Sequence, residues 1–354
     1  MALELRCDPS EIIDFSANIN HRGLPLSALS ALAEMVGDPS ELLRYPDWVS
    51  HPLRRILADR LNVSPETIVL HAGASALIAD IIRAVRARTC AVFVPAFAEY
   101  RRACESCGTR LQTIPLEEAD GFRIRCETVA RVLRTVRPEL LIVNNPHNPS
   151  GRLTAANEIY QLADEAVAAG AVVLIDEAFI DYAPEHQVTA TAAKQPGIIA
   201  VRSLTKFYGC PGLRIGYAVA HSAMAHRVER QMPAWPIGSI ALETMTAALH
   251  DVPYAASTLA ETARERAWLA SEIAELGLHS YESAANFLLL KMPHNWPNSG
   301  EIRRQFLERS RILVRDCASF DGLENGRFIR VAVLSRDQNQ RLVDAMFRFR
   351  KGLL

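Results

Sequence analysis

The chain has 354 residues, 49% of them hydrophobic and 22% charged, enough for more than one lobe around a sizeable core. Its 39 basic and 40 acidic residues leave a net charge of −1, which argues against nucleic acid or an anionic membrane as the main partner. Any anionic ligand must then be held by a few well-placed groups.

No apolar run approaches the ~20 residues of a membrane span. The opening Met1-Ala2-Leu3-Glu4-Leu5-Arg6 lacks a signal-peptide stretch, and the seven dispersed cysteines suit free thiols in a reducing cytoplasm. Cys104-Glu105-Ser106-Cys107 follows an arginine-rich helical stretch rather than a strand-to-helix turn, so it reads as two ordinary thiols. No metal site is expected.

In chain order, the first forty-odd residues look irregular and then helical, and are expected to pack with a second lobe. Seven short apolar, β-branched runs follow, at 67–70, 91–94, 111–114, 140–143, 172–175, 198–201 and 215–219. Helical stretches between several of them predict an α/β fold with a mostly parallel seven-stranded sheet covered on both faces. From about Pro236 a helical stretch over 239–276 leads to a strand at 285–290, a helix near 301–309, strands at 312–314 and 328–333, and a last helix. This reads as a smaller α+β lobe. The expected division is 1–45, an N-terminal segment; 46–236, a large α/β domain; and 237–354, an interdomain helix with the small domain.

Ligands of such sheets sit beyond the carboxyl ends of the strands, and the polar clusters fall there. Ser203-Leu204-Thr205-Lys206 puts a lysine and two hydroxyls just after a strand, and Arg214 in Pro211-Gly212-Leu213-Arg214-Ile215-Gly216-Tyr217 adds a planar fork suited to phosphate. Asp176 ends the apolar run 171–175, where a buried carboxylate needs a cationic partner. Asn144-Asn145-Pro146-His147-Asn148-Pro149-Ser150-Gly151 forms a rigid turn after another strand. A lysine for an aldehyde, a carboxylate for a pyridine nitrogen, Asn148 for a phenolic oxygen and donors for a phosphate are the needs of pyridoxal 5′-phosphate (PLP). Lys206 would carry it as a Schiff base.

In order and spacing these segments resemble the fold-type I, aspartate aminotransferase-like superfamily of PLP enzymes. The closest branch is threonine-phosphate decarboxylase of cobamide biosynthesis, beside histidinol-phosphate aminotransferase. The resemblance runs from about Ile13 to the C-terminus, through Asp14-Phe15-Ser16-Ala17-Asn18-Ile19-Asn20, Arg44-Tyr45-Pro46, Pro95-Ala96-Phe97-Ala98-Glu99-Tyr100, Asp176-Glu177-Ala178-Phe179-Ile180-Asp181 and Ile312-Leu313-Val314-Arg315. It implies that Tyr100 stacks on the pyridine ring and that Tyr45 reaches the cofactor phosphate of a neighbouring subunit, hence a homodimer with shared sites. It further implies that Arg330 clamps a substrate α-carboxylate, that Arg315 holds a distal phosphate, and that Asn20 binds substrate.

The substrate so implied is a small phosphorylated amino acid. The reaction the resemblance implies is decarboxylation of L-threonine O-3-phosphate in cobalamin biosynthesis; the alternatives are transamination of the histidinol-phosphate type and decarboxylation of phosphoserine or phosphonoalanine. Phe179 leans toward the decarboxylase, because aminotransferases of this group commonly carry tyrosine there. The sequence departs from the family in three places. No His-Gly-Gly arm precedes Asp14, the phosphate loop reads His71-Ala72-Gly73-Ala74-Ser75-Ala76 instead of Gly-Asn-Gly, and His21 follows Asn20 where proline is usual. Backbone N–H groups of Gly73 and Ala74, together with Ser75, can still bind a phosphate at the start of a helix.

Overall fold

The computed structural model describes residues 8–352; the reading of the first six residues falls outside them. The chain enters on a short strand, β1 (Ile13–Asp14). It then builds β2 (Ile68–His71), β3 (Thr89–Val94), β4 (Arg110–Pro115), β5 (Leu140–Asn144), β6 (Val172–Asp176), β7 (Ile198–Ser203) and β8 (Gly216–Ala220). Each of the seven apolar runs supplies one of the strands β2 to β8, in a single sheet of order β2-β8-β7-β6-β5-β3-β4.

The runs are continuous rather than alternating because both faces are covered. Leu141, Val143, Val173 and Ile175 pack into one core cluster. Their neighbours Leu140, Ile142 and Leu174 pack into another on the opposite face. β4, at the edge, keeps exposed positions along its length. Strand β8 runs antiparallel to both β7 and β2. Between β7 and β8 lie only the single turn Leu204–Phe207 and a short 3-10 segment, with no full helix to make the crossover that usually joins parallel strands.

The small lobe holds β9 (His279–Ser280), β10 (Phe287–Lys291), β11 (Ile312–Leu313), β12 (Arg315–Asp316) and β13 (Phe328–Ala332). Four of these form an antiparallel sheet of order β12-β13-β10-β9, while β11 pairs in parallel with β1. The helical stretch over 239–276 is two helices, Ser239–His250 and Val252–Glu275. Asp251 breaks it by capping the second helix through Tyr254 N, with Pro253 unable to continue the first.

The first helix buries Leu242, Met245 and Ala248 in the large lobe's core, beside Ala28 of helix Leu26–Gly37. The N-terminal segment therefore meets the small lobe through β1 and the large lobe through its helix. Among the described residues no helix is long and apolar enough to cross a membrane, and no group of three or more His, Cys, Asp or Glu side chains is placed to hold a metal. Cys104 is buried and Cys107 half-buried, both free thiols.

Candidate active site

Three strands that lie side by side end on polar residues: β5 on Asn144, β6 on Asp176 and β7 on Ser203. Asn144 and Asp176 are register partners. Beyond them opens a cavity of about 660 Å³ between the two lobes, with Lys206 on its wall.

Lys206 follows β7 on a single helical turn, Leu204–Phe207. Burial, with like charge from Arg330 and Arg214, lowers its proton affinity below the ordinary lysine value, and Asp176 opposes the shift. Asp176 is 4% exposed, and burial raises its carboxyl above the usual range. Its Oδ2 accepts from Tyr100 Oη at 2.6 Å and its Oδ1 from Ala178 N at 3.0 Å. Among the described residues no basic side chain lies within 4.0 Å of it. Tyr100, expected to face a ring, is thus also a donor to this carboxylate. Its own phenol is held well above its ordinary value, by burial first and by the Asp176 charge second.

Beside Lys206 lies a set of donors. Strand β2 ends at His71, Gly73 turns the chain at φ +93°, and helix Ala74–Val85 begins with no side-chain cap on its first N–H groups. A Cβ on Gly73 would sit 2.8 Å from Arg214 Nη2, so glycine is what lets the guanidinium lie against this turn. The Ser203 and Thr205 hydroxyls are buried 3.0 Å apart. Ala74, Ser75, Ser203, Thr205 and Arg214 all line the cavity. A helix N-terminus, three hydroxyls and a guanidinium suit a phosphate dianion.

The loop after β5 is held by its own side chains. Asn144 Oδ1 accepts from Asn148 N at 2.6 Å, and Asn145 brackets Thr154 through N–H and carbonyl at 2.8 and 3.0 Å. His147 lies 2.8 Å from Pro95 O and 2.7 Å from Ser150 Oγ. Its Nε2 must donate to the carbonyl, so Nδ1 accepts from the hydroxyl. Burial brings its pKa down to about 4. Asn148 Oδ1 accepts from Arg330 Nη1 at 2.5 Å, leaving its amide N–H groups for a ring oxygen.

Arg315 and Arg330 are register partners on β12 and β13, so both project from one face into the cavity. Arg330 is 7% exposed. It donates to Asn148 and, at 3.0 Å, to Ser16 O, while its Nε has no partner. Among the described residues no carboxylate lies within 4.0 Å of it. Burial, joined by the Arg315 charge and opposed by Cys317, brings its pKa down to about 10. Phe320 lies between the two cations, 5.4 Å from Arg315 and 5.9 Å from Arg330.

Two expected site residues lie elsewhere. Asn20 does not line the cavity; its amide donates to Phe207 O and Tyr254 Oη at 2.8 and 3.0 Å. Its neighbour two residues back, Asn18, lines the cavity instead, with a buried Oδ1 that has no partner. Tyr45 is 75% exposed and stacked on Trp235 at 4.0 Å, outside the cavity of its own chain. Phe320, which lines the cavity, carried no sequence signal as a site residue, because an aromatic in a loop is usually packing. Asn18 stands in the same run as Asn20, residues 14–20, and nothing local separates the two.

A lysine, a strand-end carboxylate and a phosphate cup at the carboxyl ends of such a sheet define a PLP enzyme of the α/β type. The present residues fit that cofactor: among the described residues no basic side chain lies within 4.0 Å of the buried Asp176, and Lys206 lines the same cavity as Asp176 and the phosphate donors Ser75, Ser203, Thr205 and Arg214. The chain belongs to the aminotransferase class I and II family, whose model matches residues 10–346. It is 33% identical to threonine-phosphate decarboxylase of Salmonella typhimurium, over 99% of this chain and 95% of that protein. It is 31% identical to histidinol-phosphate aminotransferase of Roseiflexus castenholzii, over 98% of this chain and 92% of that one. The fold matches, at TM-score 0.88 and 23% identity, histidinol-phosphate aminotransferase from Sinorhizobium meliloti in complex with PLP, covering 100% of this chain and 94% of the other.

Proposed function

We propose that this enzyme decarboxylates a small phosphorylated amino acid, L-threonine O-3-phosphate, to (R)-1-amino-2-propanol phosphate and carbon dioxide, a step of cobalamin biosynthesis. The observation that carries the reading is the pair Arg330 and Arg315. They are two register-partnered cations on one cavity wall, the inner one buried with no carboxylate within 4.0 Å among the described residues. A buried unmatched cation calls for an anionic ligand. Two cations on adjacent strands ask for a ligand with two anionic groups a few bonds apart, as a carboxylate and a phosphate are in threonine phosphate.

In this reading Lys206, Asp176, Asn148 and Tyr100 hold the ring of PLP, and Ser203, Thr205, Arg214 and residues 73–75 hold its phosphate. Tyr45 completes the phosphate site of a second subunit in a homodimer. Bound there, PLP supplies an electron sink for the bond broken at Cα. Arg330 binds and orients the substrate carboxylate, and Arg315 binds the distal phosphate. Lys206 Nζ, whose proton affinity is lowered, delivers the proton to Cα. Phe179 is 4% exposed, stands edge-on to Phe287 at 5.1 Å, and presents no hydroxyl to the cavity it lines.

Transamination is the second reading, favoured by the 31% identity to a histidinol-phosphate aminotransferase. One experiment separates the two. The purified, PLP-loaded protein is given L-threonine phosphate, phosphoserine or phosphonoalanine, and separately histidinol phosphate with 2-oxoglutarate. Carbon dioxide released without any 2-oxo acid is the expected result; glutamate formation alone sinks the decarboxylase reading. Lys206→Ala should abolish the visible absorption of the bound cofactor.

A further inference from the structure

We propose that Asn20 is a positioning residue, a cap on the helical turn that carries Lys206, tying that turn to the Arg330 end of the cavity. A single turn of helix is unstable alone, and its last four carbonyls lack intrahelical partners. In Leu204–Phe207 these are all of its carbonyls. Leu204 O accepts from Tyr208 N at 3.4 Å and Thr205 O from Cys210 N at 3.1 Å. The other two depend on distant residues. Lys206 O accepts from Asn20 N at 3.1 Å, with Tyr182 Oη at 3.4 Å. Phe207 O accepts from Asn20 Nδ2 at 2.8 Å.

The cap is oriented from behind. Asn20 Nδ2 also donates to Tyr254 Oη at 3.0 Å, that hydroxyl donates to Gly23 O, and Asn20 Oδ1 accepts from Arg22 N at 3.1 Å. The approach is close. A Cβ on Gly209, at φ +62°, would fall 2.6 Å from Gly23 Cα and 2.8 Å from Asn20 O.

At its other end the same segment is bound to the small lobe. Phe15 O accepts from Ala332 N at 2.8 Å, and Ser16 O accepts from Arg330 Nη2 at 3.0 Å. Three residues therefore separate the contact with Arg330 from the cap on Lys206. An anion that draws on Arg330 pulls on Ser16, and the cap transmits the pull to the lysine turn. The charges that face Lys206 are Arg330, Arg214 and Asp176. A turn that loses its cap moves Nζ among these three and changes its proton affinity.

The inference rests on Lys206 being the cofactor lysine, a reading that fails separately if Lys206→Ala keeps the visible band. Asn20→Asp keeps the size and the acceptor but sets an oxygen against Phe207 O. In the PLP-loaded variant the pH midpoint of the visible band should move by about half a unit or more. Its kcat should fall about tenfold, with KM changed less than about twofold. Gly209→Ala, which wedges the same contact, should act in the same direction. A purely structural role predicts a lower melting temperature with midpoint and kcat unchanged, and that result overturns the proposal. Should the variants not fold, hydrogen exchange on the wild-type holoenzyme decides. Phosphoglycolate, which carries a carboxylate and a phosphate but no amine, should slow exchange across residues 204–210; binding that leaves those amides unaffected overturns the coupling.

Discussion

Arg202 and Arg330 are buried to nearly the same extent, at 4% and 7% exposure, and their surroundings treat them oppositely. Arg202, on β7, is matched. Its guanidinium donates to Asp181 at 2.5 Å and to Gln187 and Thr189 at 2.9 Å, and Glu177 lies 3.9 Å away. Glu177, fully buried, takes Val188 N at 2.7 Å and the Thr189 hydroxyl as donors. Burial alone would weaken the Arg202 proton's hold; the facing acids, Asp181 first, outweigh it and raise its pKa above the ordinary value. Arg330, on β13, has amide and carbonyl oxygens for partners and no acid within 4.0 Å among the described residues, and its pKa falls to about 10. Burial of a charge therefore does not mark a ligand site; burial of an unmatched charge does.

The largest test of this contrast is catalytic. Arg330→Met should lower kcat/KM for L-threonine phosphate by about a thousandfold, the scale of truncating a desolvated charge pair, while the melting temperature stays at or above the wild-type value. A loss of stability instead would make Arg330 a second structural arginine.

Arg202→Met should do the reverse. It leaves Glu177 and Asp181 buried or half-buried without their cation, at about 3–5 kcal/mol of stability in urea unfolding, and an unchanged urea midpoint would erase the distinction.

A third buried base sharpens the rule, since His147 is satisfied as a neutral ring. Its pKa is about 4 in the fold against 6.5 for an ordinary imidazole, so below pH 6.5 the unfolded chain binds the extra proton. The stability is present above pH 6.5 and is lost as pH falls toward 4, by at most about 3 kcal/mol. Melting temperature followed from pH 7 to 4 should show the decline, and His147→Asn should flatten it.

The smallest effect belongs to Arg315, which is exposed. Arg315→Ala should raise KM about tenfold for threonine phosphate and leave unphosphorylated threonine unaffected; equal changes for both would remove its role as a phosphate binder.

Much of the fold was legible along the chain, because its signals are local. A strand covered on two faces must be apolar at every position, so seven runs marked seven strands. The polar groups that chemistry needs must stand where those runs end, so Asp176, Asn148 and Lys206 could be picked out by residue type and position together. The break at Asp251 was less visible, since the apolar pattern passes straight over it and only the cap and Pro253 divide the helix.

Asn18 and Asn20 show where local reading stops. They share a motif, both are buried, and which one faces the cavity depends on a lysine turn nearly 190 positions away. The sequence by itself determined the sheet, the family and which polar residues stand at the strand ends, because hydrophobic period and residue type at strand ends are properties of short segments. Only the tertiary structure decided which arginine is matched, which asparagine caps, and where Tyr45 lies. Those outcomes depend on distances between residues such as Arg330 and Ser16, which are 314 positions apart in the chain, and charge balance is settled only when the fold brings them within a few ångströms.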